Sequence, residues 1–488
     1  MSVPVEKCDV CVIGAGLAGM NALFVASRYL SRDQRVILVD RRQRVGGMWV
    51  DTYPYVRLHQ PHGVFTAGNI KWTLRQKRAH LASKGEVLGH FEHCRAMIKQ
   101  DQRVDEFFGW TIESDEEVDG VVRVTCRAAD GRTMVIETKK LIKAYGFRIE
   151  PNEPLPLSSR SVRSVSPDTC DMRGAPIRDS AAPVWVVGGG KTAMDTVYAL
   201  ARAYPGREVN LLAGGGTFFH NRDQFFPNGL ARWNSGTTLG TLSAEIAARY
   251  DGTNEAELWD WHRSAYGLWA TPETGNFALG VLSEVEQQTV SAAVNEVVMD
   301  HLVDVVDDDG GPQMVLRSGA TKAVAPGSWF VNCTGYITHR VHPYEPYMSR
   351  SGNTLSIQTQ SATLHLSSYG AYFGTHLLFS GKIRDVPLYE LDVLDLYRKS
   401  RKAFPYTLFA LVQHNMSLYT DTLPAKAFRE CGLDFDRWYP LPRQLVQQVK
   451  FMRTHRADRE RARVVLDTVR ERFGVRCGPL AEDAPQDA

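Results

Sequence analysis

Two stretches of the chain share one pattern: a short apolar run, a glycine cluster, then a segment with apolar positions every three to four residues. The first is CDVCVIGAGLAGMNALFVASRYL, Cys8 to Leu30; the second is VWVVGGGKTAMDTVYALA, Val184 to Ala201. Each predicts a buried strand, a tight turn and a helix. Behind the first comes RVILVD, Arg35 to Asp40, and behind the second EVNLLAGGG, Glu208 to Gly216, each read as the next strand. Further on, VVRVTCRAADGRTMVIETKKLIKAYG predicts a strand, a turn at Asp130-Gly131, a strand, and a last strand ending at Gly146. DHLVDVVDDDGGPQMVLRSG and GSWFVNCTGYI repeat that order and end at Gly335. The halves match in plan, and the second carries insertions.

The pattern gives an α/β fold of two Rossmann-like dinucleotide-binding domains with helical insertions and a helical C-terminal segment. The expected divisions are 1–175, then 176–335 with a helical insert at about 230–298, then 336–488 as a return to the first domain followed by helices. The insert has tryptophans at Trp233, Trp259, Trp261 and Trp269, read as core or subunit contact rather than a substrate box.

At 488 residues, with 43% hydrophobic and 23% charged residues, the chain can bury a large core. Lys and Arg total 57 against 55 Asp and Glu, and no basic run is long enough to track a nucleic-acid backbone, so a small-molecule partner is expected. The eight cysteines lack disulfide-framework spacing, which reads as a cytoplasmic protein with reduced thiols. Cys8 and Cys11 form C-x-x-C inside the first strand, where core packing is the expected role. Val10 to Val25 is too short and glycine-broken for a membrane span. The tail CGPLAEDAPQDA reads as polar and frayed, and a homo-oligomer is possible.

In the first turn Gly14, Gly16 and Gly19 form G-x-G-x-x-G: one for the tight turn, one for close approach of a pyrophosphate, one for helix-on-strand packing. The pyrophosphate would sit on the N-terminus of the helix starting near Leu17 and Ala18. Asp40, 21 positions after Gly19, can accept from both ribose hydroxyls. The second turn contains GKT, yet a P-loop needs a glycine where Trp185 stands. It reads instead as a second dinucleotide turn, with Gly188 and Gly190 in the first two roles and Ala193 in the third. His90 and His93 in HFEHC have no further ligands at zinc spacing and read as a solvated or capped pair, so no metal site is expected.

RRQRVGGMW, Arg41 to Trp49, resembles the G-G-x-W element of the class B flavoprotein monooxygenases: the flavin-containing, N-hydroxylating and Baeyer–Villiger enzymes. NCTGY resembles their A-T-G-Y element. The resemblance covers Asp9 to Asp195 and Asp300 to Gly335. It implies FAD at the first turn, lined by Arg41, Gly47, Met48, Trp49, the Tyr53-Pro54 pair, Tyr145 and Gly146. It also implies Arg57, His59 and Gln60 as the candidate catalytic groups around the isoalloxazine. The second turn would take NADPH through Gly188, Gly190, Lys191 and Thr192, with Thr334 and Gly335 nearby and Asp195 a few residues into the helix. Since EVNLLAGGG ends in Ala213 with no acid, NADPH is expected over NADH, and the 2′-phosphate cation is expected to be Arg222, with Lys191 as the alternative.

The implied activity is oxygenation of a small molecule with O2, most readily at a heteroatom, nitrogen first. Baeyer–Villiger oxidation and a reductase or oxidase without oxygen insertion are the alternatives. A disulfide reductase would need a redox cysteine pair near the flavin, which the spacing of the cysteines does not offer. Baeyer–Villiger enzymes carry F-x-G-x-x-x-H-x-x-x-W between their two turns. Here the linker SVRSVSPDTCDMRG, Ser161 to Gly174, has no histidine or tryptophan, and Ser166 stands about where the histidine would be.

Overall fold

The computed structural model describes residues 3–336 and 340–479. Strand β1 (Val5–Ile13) leads through the first glycine turn into helix α1 (Leu17–Ala26) and strand β2 (Arg35–Asp40). The chain then crosses helix α2 (Lys84–Asp101) to strand β3 (Arg103–Phe108). Serine 83 caps α2 through its bond from the Glu86 N–H, and Glu86 returns the favour to the Ser83 N–H. Strands β4 (Trp110–Val118), β5 (Val121–Ala128) and β6 (Thr133–Gly146) form a meander joined to the same sheet.

In that sheet β3, β2, β1 and β6 are parallel, while β5 and β4 continue antiparallel. Strand β6 serves both parts: its first half pairs with β5, and its second half with the late strand Thr354–Gln358. The sequence suggests two strands where the structure has one of 14 residues, because the partner changes along one edge while the backbone runs on. The all-buried pattern of β1 and β2 towards their C-terminal ends is that of a parallel sheet covered on both faces.

The second sheet repeats the plan. Strands β7 (Arg163–Val165), β8 (Val184–Val187) and β9 (Val209–Leu212) lie parallel with Val294–Val298 and Trp329–Asn332. Helix α3 (Lys191–Ala203) follows β8, and Leu302–Asp308, Gly311–Leu316 and Thr321–Ala323 make the matching antiparallel meander.

The insert is not purely helical. Helices Leu239–Arg249, Glu255–Tyr266 and Glu284–Ala293 are interleaved with the short strands Phe218–Asn221, Gly267–Trp269 and Val281–Leu282, and its last residues form the edge strand of the second sheet. Its tryptophans differ in burial: Trp259 is buried, Trp261 half-buried, and Trp233 and Trp269 are exposed. After the return strand come helix Ser367–Phe379, packed on α1, then Ala403–Thr422 against the 33-residue helix Leu441–Phe473. The start of the tail expected to fray is ordered. Cys477–Pro479 pairs antiparallel with Tyr389–Leu391, and the remaining tail lies outside the described residues.

Candidate functional site

Both glycine turns lie at the carboxyl ends of parallel strands, where open α/β sheets bind ligands. At the first, Gly14 has φ of 102°, and a Cβ there would stand 2.7 Å from the Ala144 carbonyl oxygen on β6. A Cβ on Gly19 would lie 1.7 Å from the Gly14 oxygen, so only glycine lets α1 pack this close to the turn. Asp40 fixes the turn from the neighbouring strand: one carboxylate oxygen accepts the Ala15 N–H at 2.6 Å and the other the Arg42 N–H at 2.7 Å. Helix α1 has no side-chain cap, so its first N–H groups are free for an anion.

The next segment closes over that helix end. Gly46 donates its N–H to the Ala15 carbonyl, and a Cβ on Gly47 would stand 2.8 Å from the Gly16 Cα. Bare backbone therefore faces bare backbone where a pyrophosphate would pass. Trp49 meets Phe65 edge-on, Met48 is exposed, and Arg41 reaches Glu150 at 3.3 Å. Tyr145 stacks on His342, with ring centres 4.6 Å apart.

A cavity opens at the same edge of the sheet, between the ends of β6 and Thr354–Gln358 and the start of helix Ser367–Phe379. Four polar atoms around it are buried without a partner: Gln358 Oε1, Ser361 Oγ, Thr363 Oγ1 and His365 Nδ1. Buried polar atoms are ordinarily bonded, so this set is suited to a polar ligand. An uncapped helix end, an acid beside the turn, a side-chain-free passage and orphaned polar groups together fit FAD. The sequence patterns missed the cavity residues because they come from a return segment more than 200 residues after the turn.

The second turn is built likewise. Gly188 has φ of 132° and faces the Cys333 carbonyl, Gly190 precedes the uncapped α3, and a Cβ on Gly190 would meet nothing within 4 Å. Ala193 is buried beneath the turn. Thr334 donates from its N–H and hydroxyl to Asn332 Oδ1, and Gly335 has φ of 74°. Thr192 begins α3 beside Lys191.

Side chains from the segments that follow the two turns meet directly. Tyr53, beside the G-G-x-W element, donates to Asp195 on α3 at 2.8 Å, and Lys191 pairs with the same carboxylate. Tyr55 bonds Thr196 at 2.7 Å. Burial, then the Asp195 charge, pushes the Tyr53 hydroxyl far above its usual range, so it stays a donor. Arg57 is exposed, while His59 and Gln60 are half-buried. Burial and the nearby Lys191 and Arg222 push the His59 imidazole down to about 3, leaving it neutral at physiological pH.

Arg222 is engaged by other groups: it donates to the His59 carbonyl at 2.7 Å and pairs with Glu286 at 2.6 Å. Burial would raise the Glu286 carboxyl, but Lys191 and Arg222 outweigh it and hold it at about 2. Lys191 is likewise paired with a carboxylate. Tertiary folding surrounds the end of β9 with other groups. A Gly214 Cβ would lie 3.0 Å from His301 Nε2, and Arg401 donates to Asn276 at 2.5 Å, whose side chain bonds the Gly216 carbonyl. Arg401 and Arg317 are both close enough to His301 to lower its basicity, behind the leading effect of burial.

The HFEHC reading also changes. His90 is buried, stacked on Trp72 with ring centres 3.9 Å apart and bonded to Thr66 at 2.8 Å, so it is core rather than solvated. All eight cysteines are free, and all but the half-buried Cys8 are buried. Burial raises the thiols of Cys8 to about 11 and of Cys126, Cys333, Cys431 and Cys477 to about 12. No helix among the described residues is long and apolar enough to cross a membrane.

A family model described as pyridine nucleotide-disulphide oxidoreductase matches residues 8–229, a little under half of the chain. An uncharacterized protein of Mycobacterium tuberculosis is 31% identical over 213 residues, 40% of this chain and 36% of that protein. An FAD-dependent monooxygenase of Aspergillus nomiae is 28% identical over 281 residues, 51% of this chain and 45% of that one. The chain thus spans less than half the length of these curated relatives. Among solved structures, an oxidized steroid monooxygenase bound to NADP aligns over 92% of this chain and 98% of its own, with TM-score 0.52 and 15% identity. The chain shares the fold of that steroid monooxygenase structure.

Proposed function

We propose that the chain is an FAD- and NADPH-dependent monooxygenase that oxygenates a small molecule at a heteroatom, nitrogen first. One observation carries this reading: the segments that follow the two dinucleotide turns are joined directly, Tyr53 beside the G-G-x-W element donating to Asp195 on the helix of the second turn. The Aspergillus relative, an FAD-dependent monooxygenase, and the solved fold that holds NADP support the same assignment. Bound FAD, reduced by the nicotinamide, supplies the electrons that activate oxygen.

The protein's part is to bind, orient and keep water out. Asp40 shapes the first turn and receives the ribose hydroxyls, and the N-termini of α1 and α3 take the two pyrophosphates. Arg222, Glu286 and Lys191 close the cleft beside His59, whose uncharged ring can exchange hydrogen bonds there without adding a cation. At the β9 end, Arg401 with His301 and Arg317 takes the role of 2′-phosphate cation in place of Arg222.

The buried thiols count against a dithiol route. Burial pushes the Cys11 thiol well above its ordinary value and the Cys8 thiol to about 11, so neither supplies the thiolate that such a route needs. The linker between the turns favours heteroatom oxidation over ketone insertion. In place of a histidine it has the fully buried Ser166, and its Asp168 accepts from the Tyr336 hydroxyl at 2.5 Å and from the Asn152 N–H at 2.8 Å. The test supplies NADPH and isotopically labelled O2 with matched amine and ketone substrates. Label in an N-oxide or hydroxylamine is expected. Label in an ester with amines untouched would reassign the reaction, and NADPH consumption with no label in any product would make the chain a reductase or oxidase.

A further inference from the structure

One face of the molecule, remote in sequence from both glycine turns, combines exposed apolar side chains with unopposed positive charge. On the helix Leu441–Phe473, Leu441, Leu445, Val449 and Met452 are all exposed, and their spacing places them on one stripe. Leu441 is 64% exposed, and the neighbouring loop adds Leu230 at 83% and Trp233 at 58%. Soluble surfaces seldom gather large apolar groups in this way without a partner.

Three segments meet here around the buried Trp438. Arg78 donates to the carbonyls of Arg437 and Trp438 at 2.7 and 3.0 Å. Arg232 donates to the Trp438 carbonyl at 2.9 Å, and Arg443 to the Gly236 carbonyl at 2.9 Å. The segments are residues 52–85, 224–244 and 437–457, and none contains an aspartate or glutamate. Between them they hold twelve lysines and arginines, although the whole chain is nearly balanced. Lys71, Arg75, Lys77, Lys450 and Arg453 are exposed, with no carboxylate pairing them among the described contacts, while Arg456 is paired with Asp421. Two acids just before the third segment are engaged: Asp436 accepts the Leu239 and Gly240 N–H groups, and Asp434 accepts the Asp436 N–H and pairs with Arg437 at 3.9 Å.

We propose that this face docks the protein on an anionic lipid surface. A helix lying in the plane of a membrane presents this combination, with apolar side chains entering the headgroup region and lysines and arginines flanking them. Charge argues against a second copy of the chain as the occupant. A two-fold interface sets the same patch against itself, which would bring Lys450 and Arg453 of each copy towards like charges with no acid between them. The absence of a membrane-spanning helix does not bear on surface docking.

The test is vesicle flotation of the full-length protein with phosphatidylcholine alone and with phosphatidylserine added, alongside light scattering for mass. Binding to the serine-containing vesicles only is expected, and raised salt should release it. Lys450→Glu with Arg453→Glu should weaken binding by more than about tenfold. Leu445→Ser with Val449→Ser should weaken it while leaving the melting temperature and NADPH oxidation unchanged. No difference between the two vesicle types would overturn the proposal. So would a dimer that the serine variant dissociates, which would assign the face to self-association.

Discussion

Both carboxylate oxygens of Asp40 already hold a backbone N–H, so the side chain shapes the first turn, and on the function proposed above its remaining lone pairs receive a ribose. Replacing it with alanine should therefore remove the flavin and loosen the turn together. Asp40→Ala protein is expected to purify with most of its flavin absorbance gone. Full occupancy would put the flavin elsewhere. Arg401 supports a separate prediction, because it is tied to the end of β9 through Asn276 rather than to a carboxylate. Arg401→Ala should raise KM for NADPH about tenfold or more while changing KM for NADH little, as expected when one charge-assisted bond to a phosphate is lost. An equal effect on both nicotinamides would return the search to other cations.

Contacts between elements are tightest where a helix leaves a turn. Helix α1 can follow β1 only because position 19 carries no Cβ, and Gly19→Ala would force the helix off the turn at a cost of about 1–3 kcal/mol. Urea unfolding should show that loss even without cofactor. The joint between the halves is looser in kind: Tyr53 reaches from the segment after the G-G-x-W element to Asp195, and Tyr55 to Thr196. Tyr53→Phe removes one bond to a charged acceptor, worth about 1.5–3 kcal/mol, yet leaves Asp195 paired with Lys191. We expect a lower melting temperature together with slower flavin reduction by NADPH, read by stopped flow. An unchanged reduction rate would limit the bond to a structural role.

The molecule as a whole buries many histidines as neutral rings. Burial pushes His59, His90 and His262 down to about 3, and His342, His365 and His376 to about 4. Their folded values lie below the usual 6.5, so the unfolded chain binds more protons in acid. The stability they contribute is complete above pH 6.5 and is lost as pH falls towards 4, at about 1.4 kcal/mol per pH unit for each ring. Glu286, held at about 2, adds to the loss only below about pH 4.5. The melting temperature should accordingly drop steeply between pH 6.5 and 4, and a flat profile there would contradict the burial of these rings.

Local pattern was enough to read the two strand–turn–helix units, their glycine turns and the strand ending in Asp40, because each rests on neighbours within about thirty residues and on backbone space. It was also enough to reject the P-loop, since one missing glycine decides that question. Long-range contacts decided the rest. Strand β6 runs unbroken because its edge passes from β5 to a strand over two hundred residues later. Arg222, the cation expected at the 2′-phosphate, is paired with Glu286, which only packing brings within reach, while Arg401 arrives at the β9 end from the C-terminal segment. The cavity with its unpartnered polar atoms, and the basic apolar face around Trp438, are likewise assembled from distant segments. Periodicity and spacing record how a residue relates to its neighbours along the chain, whereas charge pairing and burial depend on which surfaces the fold presses together.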